Sequence, residues 1–260
     1  MTICLACLVD EKTIVLAADK MVSVNLPNIK FERGASKLSI LANRFALASA
    51  GDALIPTEII NGAIAGIAES NTVAQAAKAL KSAYVSERDR LVEELLLRPS
   101  GFTLEDIRDR QGKFRPEVLL QALQQVQNFR FDSVLLLAGV DESGAHLYTI
   151  HPPGNLRCFD ALGYIAIGSG EHHALQTFIT SNFDLPMSLN RAVLTAYEAK
   201  RRSEKATGVG PLTDMMVMRR DKIVKFTDAQ LQQLDSVYAE RVKSETDWLA
   251  KFEKADLKIL

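Results

Sequence analysis

The chain has 260 residues, 47% hydrophobic and 24% charged, with 31 basic and 32 acidic side chains and a net charge of −1. These are ordinary globular values, and the length allows one large domain or two small ones. The charge balance excludes the basic excess of a nucleic-acid-binding face, and no apolar run approaches the roughly 20 residues that cross a bilayer. The opening residues carry no positive n-region and reach Asp10-Glu11-Lys12 early, so a signal peptide is not expected. The expectation is a cytoplasmic protein with neither nucleic acid nor membrane as partner.

In chain order, residues 3–9 form an apolar run of β type. Asp10-Glu11-Lys12 is a turn, and Thr13–Ala18 is a second run, so the two predict a hairpin. Cys4 and Cys7 formally match C-x-x-C, but residues three apart on a strand face opposite ways. They read as small buried hydrophobes, and no metal or cofactor is expected. Strands return at Lys37–Leu41 and Phe45–Ala50, and Gly51-Asp52 punctuates the chain. A helix from about Ala53 to Ser70 and another from Val73 to about Leu97 predict an antiparallel pair.

Residues 98–116, broken by Pro99, Gly101, Gly112 and Pro116, are expected to be the most mobile segment, with a short helix over Thr103–Arg110. Glu117–Phe129 is helical by period. Ser133–Val140 and His146–Ile150 predict a hairpin around Asp141-Glu142-Ser143-Gly144, which has good turn composition. Tyr164–Ile167 is a strand, followed by helices over Glu171–Ser181 and Ser188–Lys205. Lys200-Arg201-Arg202 closes the second, where cations suit the helix dipole. A last hairpin, Asp214–Met218 and Ile223–Phe226, precedes a charged helix from about Asp228 to Ala255. Hairpin-linked strands with helix pairs between them predict two antiparallel sheets face to face, each covered by helices: an α+β fold, a four-layer αββα sandwich. With no linker-like segment, one domain is expected.

Removal of Met1 would make Thr2 the N-terminus. A free N-terminal threonine is nucleophile and base together, since its hydroxyl attacks while its own amine takes the proton. The amine's ordinary pKa of roughly 7.7–8.0 suits a general base. Asp19, at the end of an apolar strand, reads in isolation first as a turn cap. Lys37, at the start of a strand, reads by default as a surface lysine. Gly51, between strand and helix, either turns the chain or offers its N–H to an oxyanion. Ser169, between two glycines, reads as a helix N-cap, a role compatible with a catalytic one.

Taken together and in order, the segments resemble a β-type proteasome subunit of bacterial or archaeal kind, in the N-terminal-nucleophile hydrolase superfamily. They are Thr2; Val15-Leu16-Ala17-Ala18-Asp19; Ser36-Lys37-Leu38; Ala48-Ser49-Ala50-Gly51-Asp52-Ala53; Leu136-Leu137-Ala138-Gly139-Val140-Asp141; and Ala166-Ile167-Gly168-Ser169-Gly170. The resemblance runs from Thr2 to about Val217 and leaves out residues 98–116 and the terminal helix. It implies a threonine endopeptidase. Thr2 would be nucleophile and base, with Lys37 beside its hydroxyl and Asp19 pairing with Lys37. Gly51 N–H would face the oxyanion, and Ser169 would bond around the amine.

The family's D-x-x-S-G pattern has its nearest match in Glu204-Lys205-Ala206-Thr207-Gly208, so Glu204 and Thr207 would complete the site. The Asp19-to-Lys37 stretch, with Pro27 and Phe31-Glu32, is longer than the family's usual loop. Many family members carry a propeptide, whereas here Met1 alone precedes Thr2. The implied partners are a peptide or unfolded-protein substrate, further copies of the chain in a ring, and an ATP-dependent unfoldase. Two rival expectations share the fold: an amidase acting on a small molecule, and a non-catalytic structural subunit that keeps Met1.

Overall fold

The computed structural model describes residues 2–24, 29–32, 36–52 and 54–253. Met1, Pro27, Ala53 and Ala255, which figure in the expectations above, lie outside them. Strands β1 (Cys4–Asp10) and β2 (Thr13–Asp19) form the opening hairpin, with Cys4 opposite Ala18. A second hairpin, β3 (Met21–Val24) and β4 (Ile29–Glu32), occupies a stretch expected to be loop. β5 (Leu38–Leu41) and β6 (Phe45–Gly51) follow. Helices α1 (Ile55–Glu69) and α2 (Val73–Val92) come next. α2 runs on through one wide turn over Glu93–Leu97.

After α3 (Leu104–Asp109) and α4 (Pro116–Asn128) come β7 (Ser133–Val140) and β8 (Ala145–His151). β9 (Asn155–Cys158), a polar edge strand, lacked the apolar alternation that would have predicted it. β10 (Tyr164–Ile167), α5 (Glu171–Thr180), α6 (Leu189–Ser203), β11 (Thr213–Arg219), β12 (Lys222–Lys225) and α7 (Asp228–Glu253) complete the chain.

Two five-stranded antiparallel sheets result, ordered β10-β1-β2-β11-β12 and β5-β6-β7-β8-β9. β1 is apolar as far as Val9 because both its faces are buried. Cys4, Ala6 and Leu8 face the second sheet, packing among Leu16, Leu136, Ala138 and Met216. Ile3, Leu5, Cys7 and Val9 face α5 and α6, among Phe178, Ala192 and Ala196. The strand period of two separates Cys4 from Cys7 in this way. On the outside of the second sheet, Ile59, Ala63 and Ile67 of α1 and Ala76, Leu80 and Tyr84 of α2 pack on Leu135, Leu137 and Ile150. The four layers are therefore helices, sheet, sheet and helices.

Within residues 98–116, the short helix expected over Thr103–Arg110 is present as α3. Thr103 and Asp106 form a reciprocal cap at the start of α3. Ile107 packs with Val92, Leu97 and Ala122 in a small core of its own. Phe102 meets Phe114 edge to face, with ring centroids 5.2 Å apart. Proline and glycine here mark turns between short helices, with Ile107 buried and Phe102, Leu104 and Phe114 half-buried.

Candidate active site

The register of the first sheet builds the site. Cys4 lies opposite Ala18 on one side and Ile167 on the other. One step earlier, Thr2 and Ile3 are flanked by Asp19 at the end of β2 and by Gly168-Ser169-Gly170 just past β10. Asp19 N–H donates to Ile3 O at 3.1 Å, and Gly170 N–H donates to Thr2 O at 3.3 Å. Gly168 has φ +103°, and a Cβ there would lie 2.3 Å from Thr2 O. Only glycine lets the strand end pass so close to Thr2.

Asp19 is fully buried. Its Oδ1 accepts from Thr2 Oγ1 at 2.8 Å, Ile3 N–H at 2.9 Å and Lys37 Nζ at 2.7 Å. Its Oδ2 accepts from Met21 N–H at 3.1 Å and Gly210 N–H at 3.0 Å. The turn-cap and ion-pair readings of Asp19 are thus both satisfied, one by each oxygen. Lys37 is no surface lysine, for its side chain is 12% exposed. It precedes β5, whose Leu38 pairs with Ala48 of β6, so the second sheet delivers it. Cys4 Sγ donates to Ser49 O at 3.5 Å, joining the two sheets at this end. Burial pushes the Cys4 thiol up to about 12 despite the nearby Lys37 ammonium, so it stays neutral and inert.

Gly51 ends β6 two residues past Ser49, at the same end of the sandwich. Its φ is +115°, and a Cβ would fall 2.2 Å from Asp132 O, so the backbone demands glycine on its own account. Among the described residues no hydrogen bond joins Gly51 to Thr2. Ser169 does not cap α5. That place falls to Gly170, with no side-chain bond. Instead Ser169 Oγ accepts from Thr2 N–H at 3.2 Å and lies 3.4 Å from both Thr2 O and Thr207 O.

Thr207 therefore touches the cluster through its carbonyl. Glu204 turns elsewhere, its carboxylate 2.6 Å from Lys200 Nζ and 3.6 Å from Arg201 Nε. Lys200 is fully buried in the last turn of α6, and it also donates to Pro211 O at 2.7 Å. Sequence reasoning missed Lys200 and Gly210 at this site. The i,i+4 spacing of Lys200 and Glu204 was a readable signal, whereas nothing local marks Gly210. A cavity of about 620 Å³ lies at the other end of β1, lined by Asp10, Lys12, His146 and Asp160 among others, away from this cluster. Among the described residues no group of side chains could hold a metal, and no helix is long and apolar enough to cross a membrane.

A family model described as proteasome subunit matches residues 115–209. The match takes in Ser169, Glu204 and Thr207 and stops short of Thr2, Asp19 and Lys37. Proteasome subunit beta 2 of Thermofilum pendens (strain DSM 2475 / Hrk 5) is 31% identical over 125 residues, which is 46% of this chain and 57% of that relative. Two solved structures share the fold at 15% identity with full coverage of both chains. Anbu from Yersinia bercovieri, described as an ancestral β-subunit, gives a TM-score of 0.67, and the Anbu (Gly-1) mutant from Hyphomicrobium sp. strain MC1 gives 0.64. The αββα sandwich is thus the fold of these two Anbu structures.

Proposed function

We propose that the chain is a threonine endopeptidase acting on peptides or unfolded protein, with Thr2 exposed by removal of Met1. One observation carries the reading. A threonine hydroxyl, a buried carboxylate and a lysine ammonium meet at 2.8 and 2.7 Å at the head of β1, with Ser169 on the Thr2 nitrogen. A buried lysine–aspartate pair beside a hydroxyl is costly to assemble without a use for it.

Once Met1 is cut off, Thr2 N is an amine, and it takes the hydroxyl proton as Oγ1 attacks the scissile carbonyl carbon. The tetrahedral oxyanion forms at the Gly51 end of β6, where a backbone N–H would stabilise it. Collapse breaks the C–N bond. The leaving amine takes the proton back from the Thr2 ammonium, and an ester remains on Oγ1. Water, deprotonated by the same amine, then attacks the ester and frees the second product and Thr2. Lys37 supplies a fixed positive charge beside the forming alkoxide, and Asp19 orients it. Ser169 orients the amine through its hydroxyl.

Thr2→Ala tests this. Hydrolysis of a fluorogenic peptide and covalent labelling by a β-lactone should both vanish while the fold remains. Label that persists in the variant would overturn the assignment. Intact mass should be one methionine short. The family likeness supports rings of identical subunits, and an ATP-dependent unfoldase fits a chamber that admits only unfolded chains.

A further inference from the structure

The turn between α6 and β11 touches the Thr2 cluster twice, yet its own anchor lies outside that cluster. Gly210 N–H reaches Asp19 Oδ2 at 3.0 Å, and the Thr207 carbonyl lies 3.4 Å from Ser169 Oγ. Both contacts are made by backbone, so they depend on where the whole turn sits. Gly210 is buried and Thr207 exposed, so the turn passes from the surface inward at the site.

Lys200, in the last turn of α6, spans this segment from below. Its Nζ donates to Glu204 Oε1 at 2.6 Å, where the turn begins, and to Pro211 O at 2.7 Å, where it ends. The side chain is wholly buried, while the Glu204 carboxylate is 20% exposed. Burial lowers the Lys200 ammonium's pKa, and Glu204 opposes that shift. A buried ammonium needs a partner for its charge and acceptors for its protons. Here both come from the two ends of one turn. A surface cation serving the helix dipole would use neither.

We infer that Lys200 is a positioning residue of the Thr2 site: by tying Glu204 to Pro211 it holds the 204–211 turn where Gly210 meets Asp19 and Thr207 meets Ser169. The inference rests on the threonine-peptidase reading for its consequence in catalysis, but not for its geometry. Glu204 then acts through Lys200, with no contact to the Thr2 nitrogen.

Two variants and three measurements test it. Lys200→Met removes the ammonium at similar volume. Lys200→Met/Glu204→Gln also removes the stranded carboxylate, so it recovers the stability that charge imbalance costs the single variant. Amide exchange at Gly210 reads the turn directly and needs no activity. It should quicken at least tenfold in both variants. With a fluorogenic peptide, kcat should fall about tenfold in both while KM stays within twofold. The double variant should regain thermal stability and neither of the other properties, and if the single variant does not fold, the double one carries the comparison.

Gly210 exchange and kcat within twofold of wild type in the double variant would overturn the inference, leaving Lys200 a charge-balancing residue. Wild-type protein that hydrolyses nothing and takes no β-lactone label would overturn the peptidase reading instead. Gly210 exchange would then decide the positioning role alone.

Discussion

Asp19 receives five hydrogen bonds on two oxygens, and two of the donors, Thr2 and Lys37, are the groups the proposed chemistry uses. Groups acting as a unit give non-additive losses. Asp19→Asn and Lys37→Met should each lower kcat/KM by about 10²-fold or more, and the double variant should be no worse than the weaker single one. Losses that multiply would mean that one of the pair is purely structural. At the other flank, Gly168→Ala would place a Cβ on Thr2 O in a backbone region that side chains avoid. It should cost about 1–3 kcal/mol from the backbone alone, read as a lower Tm, with β-lactone labelling lost because Thr2 is displaced. Unchanged melting and labelling would count against the close approach. These contacts were partly legible in the sequence. Asp19, Lys37 and Ser169 stood at strand ends, where each also had an ordinary turn, surface or cap role, and it was their order along the chain that marked them. Glu204 turns to Lys200, a direction that a five-residue match does not carry at a helix end.

Elements are joined by similar polar links. The turn between β7 and β8 reaches the start of α2 through Asp141, whose Oδ2 accepts Val73 N–H at 2.8 Å. That satisfies one of the orphan donors of a helix N-terminus. Asp141 Oδ1 takes Ser143 N–H at 2.8 Å and Ser143 Oγ at 2.6 Å, and His146 Nε2 lies 3.3 Å away. Burial alone would raise the Asp141 carboxyl, but the Ser143 and Val73 bonds and His146 outweigh it and hold it at about 2. A carboxyl depressed in the folded state stabilises above its unfolded pKa and loses that contribution as pH falls through the folded one. The window here is from about pH 4 down to pH 2, and the contribution at neutral pH is about 2 kcal/mol. Urea unfolding of wild type and Asp141→Asn should differ by that amount at pH 7, with the gap closing towards pH 2. A gap independent of pH would rule out this linkage. The turn itself was legible from composition. Its hold on α2 joins residues 68 apart in sequence and was not.

At the scale of the whole molecule, Leu54 and Ile64 stand 63% and 55% exposed at and on α1, while Ile59, Ala63 and Ile67 fill the core beneath. The apolar character of α1 therefore serves the core on one face and remains on the surface on another. Under the proposed ring assembly, light scattering at micromolar concentration should give a mass several times 28.6 kDa, and Ile64→Glu should reduce it. A wild-type monomer would remove the compartment on which a peptidase of broad specificity depends, and would favour a small-molecule substrate.

The sandwich could be read from the chain because its signals are local and repeated. Apolar runs of strand length, turns of Asp, Glu, Asn and Gly, and helices with one buried face each report a burial pattern within about ten residues. Strand parity alone sent Cys4 and Cys7 to opposite faces. Tertiary structure decided what depends on backbone arriving from afar. Asp19 is held by amides from residues 3, 21 and 210, and Lys200 is buried because the turn it ties folds back over it. A polar group's role is set by which donors and acceptors surround it once water is gone, and that set exists only after the sheets and the α6–β11 turn have closed around the head of β1.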